Sequence, residues 1–78
     1  MKYNDNNTVT CTHEEYAILQ ELFYHAEIES RLTHWNTEGL TFQIRNNYKE
    51  HCQLFHRMTG DNITASVRKA INSQEYSR

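Results

Sequence analysis

After a polar start, apolar residues recur along the chain at helical intervals. Residues 1–10, MKYNDNNTVT, are asparagine-rich and carry no period, which predicts a flexible arm over residues 1–11. Thr12 and Glu15 then have the spacing of a capping box. In such a box hydroxyl and carboxylate each satisfy a backbone N–H that the first helical turn leaves unpaired. From there Ile18, Leu19, Leu22, Phe23, Ala26, Ile28 and Leu32 fall on one side of a helix read as running to about Asn36. Together they cover more than half of its circumference, and a helix in a simple hairpin needs a narrower stripe. The reading therefore predicts self-association, with Ile18, Leu22, Ile28 and Leu32 at the oligomer interface.

Gly39 reads as the stop of this helix and Asn36-Thr37-Glu38-Gly39 as a tight turn. A second helix is predicted over residues 41–59, with Ile44, Tyr48, Cys52, Phe55 and Met58 along one face. Beyond Gly60 the apolar direction rotates through Ile63, Val67, Ala70 and Ile71. Either the helix changes neighbours there, or Asp61 caps a third helix. The expected fold is thus all-α, an antiparallel hairpin of two long helices that completes a four-helix bundle by dimerisation. Its helical domain would span residues 12–73, with residues 74–78 frayed.

Composition narrows this picture. A chain of 78 residues is one domain, and one this small buries only about 60–65% of the surface it exposes when unfolded. Hydrophobic residues make up 37%, so core positions are scarce and a partner surface becomes valuable. The absence of proline and the presence of only two glycines favour long helices. A net charge of −2 argues against nucleic acid as partner, because phosphate affinity comes from lysine and arginine. No apolar run is long enough to span a membrane, and the N-terminus lacks the apolar stretch of a signal peptide. A cytoplasmic location with reduced Cys11 and Cys52 follows as the expectation.

Polar residues inside the apolar arcs are the candidates for chemistry. His25 and Glu29 lie four apart on the predicted first helix, and His51 falls in the apolar sector of the second. They read as a polar seam: His25 and Glu29 pair with each other, belong to a metal-binding seam, or stand in water if the facing is misread, and His51 reads as a satisfied polar group of the core or part of the same seam. No nucleophile-elbow glycine pattern surrounds the serines and no glycine-rich phosphate loop occurs, so no catalytic residue is assigned.

The run His34-Trp35-Asn36-Thr37-Glu38-Gly39-Leu40-Thr41-Phe42 resembles the ferritin-like Dps family, in which an HWN triplet closes the first helix. The resemblance implies that His34 is an iron ligand at a site shared between two subunits, with Glu50 and Asp61 at two further ligand positions. The family's remaining ligand positions carry Asn46 instead of histidine and Ala65 instead of glutamate. The resemblance thus implies a ferritin-like oligomer with weak or vestigial binding of iron or another divalent metal through His34, Glu50 and Asp61. The alternative is a small interaction protein, such as a virus-encoded accessory factor, that binds a host protein through an exposed helix face.

Overall fold

Thr8-Val9-Thr10-Cys11 and Leu40-Thr41-Phe42-Gln43-Ile44 alternate polar with apolar residues, and a strand sends alternate side chains to opposite faces. In the computed structural model, which describes residues 1–45, 49–58 and 62–73, both segments are strands. The elements in order are β1 (Lys2–Tyr3), a 3-10 turn (Asp5–Asn7), β2 (Thr8–Cys11), α1 (His13–Ala26), β3 (Ser30–Trp35), β4 (Leu40–Ile44), α2 (Lys49–Arg57) and α3 (Ile63–Ser73). The four strands form one sheet in the order β1-β2-β4-β3, with every neighbouring pair antiparallel.

The expected all-α hairpin and helical bundle are therefore wrong. The protein is mixed α/β, with a sheet where the C-terminal half of the first helix and the start of the second were expected. Nor is the N-terminal stretch a loose arm, because β1 and β2 belong to the sheet and β2 lies against β4.

The first helix ends early for a local reason. The capping box forms as expected, with the Glu15 amide donating to the Thr12 hydroxyl at 3.1 Å and the Thr12 amide donating to the Glu15 carboxylate at 2.9 Å. The helix stops after Ala26, because Glu27 adopts a left-handed conformation with φ 53° and ψ 39°. The Ile28 amide then donates to the carbonyl of Phe23 at 3.0 Å, and both side chains are buried. This is a Schellman closure, which normally uses glycine. Replacing Glu27 by glycine should relieve the left-handed strain and stabilise the protein by up to about 1 kcal/mol. Urea unfolding followed by circular dichroism would check this, and a destabilised variant would contradict the geometry.

With α1 ending at Ala26, its buried residues are Leu19, Leu22, Phe23 and Ala26, a narrow stripe of three- and four-residue steps. The broad arc came from assigning Ile28 and Leu32 to the same helix. Helix α2 buries His51, Leu54 and Phe55, and α3 buries Ile63, Val67 and Ala70. The α3 start is capped by Asn62, whose side-chain oxygen accepts from the Ala65 amide at 3.0 Å. Asp61, the cap expected from sequence, lies outside the described residues, as do Tyr48, Gly60 and residues 74–78.

The helical stripes meet Val9, Cys11, Leu40, Phe42 and Ile44 from the inner face of the sheet in a single core. At its centre Phe42 lies 5.3 Å from Phe23 and 6.0 Å from Phe55, ring centroid to centroid. These three rings tie β4, α1 and α2 together. The opposite face of the sheet carries Lys2, Thr10, Thr41 and His34 in one cross-strand row and Thr8, Gln43 and Arg31 in the next. None of these seven residues is buried, so the molecule has two layers with a polar outer sheet face.

Candidate functional site

The two edges of the sheet differ. β1 is two residues long and carries Lys2, a short charged edge of the kind that resists further pairing. β3 is six residues long, and no strand among the described residues pairs with its outer edge. Arg31 through Trp35 are all exposed, including Leu32 at 43% and Trp35 at 59%. An edge of this length with two apolar side chains in water is a template for strand addition.

The facing of these side chains follows from the register. Leu32 pairs with Phe42 and Trp35 with Leu40, so both stand on the helix side of the sheet. Between them the register shifts, and Thr33 with His34 together oppose Thr41. This is a β-bulge, pinned by the Thr33 hydroxyl donating to the Thr41 carbonyl at 3.1 Å. It allows residues three apart to share a face.

Trp35 is positioned rather than loose. Its ring lies 4.3 Å from that of His13, in the first turn of α1, and His13 Nε2 donates to the Asn36 carbonyl at 2.7 Å. The Asn36 side-chain oxygen in turn accepts from the amides of Glu38 and Gly39 at 2.8 and 2.9 Å, which closes the β3–β4 turn. Gly39 is not left-handed, since no described glycine has positive φ. Its role is close approach, because a Cβ there would sit 2.5 Å from the Cys11 carbonyl oxygen.

A cleft of about 410 Å³ adjoins this end of the sheet, lined among others by Met1, Lys2, Cys11, Glu15, His34 and Glu38. Its polar groups are largely engaged with one another. The Met1 ammonium donates to Glu15 at 2.8 Å, and the Asn36 side-chain amide donates to His34 Nε2 at 3.2 Å. Burial pushes the Cys11 thiol up to about 11, with the Glu15 charge adding to the effect, so at neutral pH it stays protonated and a poor nucleophile. Burial alone would raise the Glu15 carboxyl, but hydrogen bonds from the Met1 ammonium and from Thr12 outweigh it and hold it below the usual range.

A depressed carboxyl pKa adds stability that is present above the unfolded value and lost as pH falls through the folded one. Glu15→Gln should therefore unfold more readily than the parent at neutral pH, with the gap closing in acid below about pH 4. Thermal melts of both proteins across that range would show it, and a gap that persists unchanged in acid would contradict it.

On the far side of β1, the Tyr3 hydroxyl donates to the Asn7 side chain at 2.9 Å, and the Cys52 thiol donates to the same oxygen at 3.3 Å. The Tyr3 ring stacks 4.1 Å from that of His56. Burial pushes the Tyr3 hydroxyl up to about 12, with the neighbouring Cys52 contributing. For Tyr3 and Cys11 alike the protonated form is favoured in the fold, so their contributions persist to neutral pH and are lost in alkali. Stability should fall between about pH 9 and pH 12. A Tyr3→Phe variant should lose less stability over that interval in urea titrations, and identical alkaline profiles would sink the assignment.

The residues singled out from sequence are scattered. His34 lies on the exposed edge strand, Glu50 is in the first turn of α2, and Asp61 lies outside the described residues. Among the described residues no three histidine, cysteine or acidic side chains converge on a metal position. His25 and Glu29 are both exposed, and they do not share a helix, because α1 ends between them. His51 is buried at 0% exposure, in α2. Of the expected interface residues, Leu22 and Ile28 are buried within the chain's own core and Ile18 packs partly against it. Leu32 alone is exposed, on the edge strand.

Sequence reasoning assigned no role to His13 and read Trp35 only as part of a helix-closing triplet. The strict alternation of Leu40 to Ile44, placed after Asn36 and Gly39, was the signal that could have revealed the hairpin.

No protein-family model, curated protein or solved structure matches the chain. No helix among the described residues is long and apolar enough to cross a membrane.

Proposed function

We propose that this protein is a small interaction module that recruits an extended segment of protein by strand addition at β3. One observation carries the reading: a six-residue edge strand, unpaired by any described strand, exposes Leu32 and a positioned Trp35 on the same side. In this mode main-chain hydrogen bonds supply affinity, and alternate side chains supply specificity. Trp35 is the expected energetic centre, since tryptophan anchors dominate interfaces of this kind. The alternating, partly apolar segment that would suit the edge presents its own apolar residue toward Leu32 and Trp35.

Selection from a displayed library of short peptides would test this reading. Selected peptides should alternate apolar and polar residues and perturb the amide resonances of residues 30–36. Trp35→Ser should weaken their binding at least about tenfold, the scale of one interface anchor. Binders that perturb the Tyr3–His56 side or the polar sheet face instead, or a library that yields no binder, would overturn the proposal.

A further inference from the structure

We infer that the segment recruited at β3 is β3 of a second copy, joined antiparallel about a two-fold axis between Thr33 and His34. The inference rests on the strand-addition reading and adds the partner and its register.

Residues directly opposite one another in an antiparallel pair point to the same face. Without a bulge, Leu32 and Trp35 would face opposite ways, and no symmetric pairing could set one against the other. The bulge puts both on the helix side of the sheet. Leu32 of one copy can then stand opposite the second copy's Trp35, and the reverse pair forms by symmetry. Thr33 and His34, which share the bulge, meet the second copy's His34 and Thr33. Bulge thus faces bulge, and the pairs on either side of it keep Leu32 and Trp35 on the helix side in both copies.

Other symmetric registers do not set Leu32 against Trp35. Centring the pair on Leu32, with the bulge again counted as one position, sets Ser30 against Trp35. Centring it between Leu32 and the bulge sets Leu32 against a bulge residue and Trp35 against Arg31, which stands on the outer face. Only the proposed register buries both exposed apolar side chains against each other.

Charge agrees with this pairing. Arg31 would lie opposite the second copy's Asn36, which keeps the two arginines roughly 14 Å apart along the strands at about 3.4 Å per position, the bulge counting as one. The resulting sheet doubles the four strands of each copy into one continuous sheet, with all helices on one side. Six residues from each copy make an interface at the small end of specific ones, which bury about 1,200–2,000 Å², so the dimer should be reversible.

Cross-linking tests both partner and register. In a Cys11→Ala, Cys52→Ser background, Leu32→Cys and Trp35→Cys are prepared as separate proteins and oxidised alone and mixed. The mixture should give a disulfide-linked dimer at least about tenfold more than either protein alone, because like positions lie roughly 8 Å apart in this register, beyond the usual disulfide reach. Equal yields in all three reactions, or a dimer from Leu32→Cys alone, would overturn the register.

Should the cysteine-free background fail to fold, sedimentation of the parent from micromolar to millimolar concentration decides instead. A dimer that Trp35→Arg abolishes supports the inference, and a monomer throughout overturns it. A monomer that still binds selected peptides at residues 30–36 would refute the second copy alone. A monomer that binds none there would refute strand addition as well.

Discussion

Phe42→Ala is expected to remove about 3–5 kcal/mol of stability, a large share of the roughly 5–15 kcal/mol that holds a domain folded. Phe42 is fully buried, and its ring sits within 6.0 Å of the Phe23, Tyr16 and Phe55 rings, centroid to centroid. Truncation would leave a cavity where β4, α1 and α2 meet, and none of the three can close it without losing its own packing. Phe42→Leu refills most of the volume and should cost markedly less. Urea unfolding of the two variants gives the comparison. Equal and small losses would mean that Phe42 is not at the centre of the core, contrary to the two-layer arrangement.

Gly39→Ala is expected to cost about 1–3 kcal/mol, the range for forcing extra atoms into packed surroundings. The added Cβ would meet the Cys11 carbonyl oxygen at 2.5 Å; that oxygen is backbone and a Cβ has no torsion of its own, so neither can swing away. Cys11 pairs with Leu40 in the β2–β4 ladder, so the strain falls on the strand junction that joins the N-terminal segment to the hairpin. Gly39→Asn separates this account from a turn requirement. Asparagine tolerates left-handed backbone, so it would rescue a position needing positive φ. Here it should be at least as damaging as alanine, and denaturation midpoints of both variants would show which holds.

Part of this structure was legible from the sequence. The Thr12–Glu15 box marks the start of α1, and the apolar repeat from Ile63 through Ala70 marks α3. Both signals are local, each written within two turns of helix. The end of α1 was hidden because Glu27 holds a left-handed cap with no glycine to announce it. Ile28 and Leu32, four apart, then passed for two more turns of the same helix.

The same ambiguity concealed β4. Every second inward residue of a strand is four positions on, so Leu40 and Ile44 fit a helix as well as a strand, and only Phe42 between them decides. The pairing of β2 with β4 depends on residues about 30 apart in the chain, which no local pattern encodes. The candidate site was half visible. Leu32 was singled out as part of a helix but lies exposed on the edge strand, while Trp35 owes its position to a contact with His13 that appears only when the hairpin folds against α1.

The fold and the edge both require residues 30–44 to be a hairpin whose outer strand is unpaired by any described strand. Backbone carbon chemical shifts of the folded protein measure this directly. Strand-type shifts for Ser30–Trp35 and Leu40–Ile44, on either side of a turn at Asn36–Gly39, are the predicted result. Helical shifts running unbroken from His13 to Asn36 would contradict both the fold and the edge built on it.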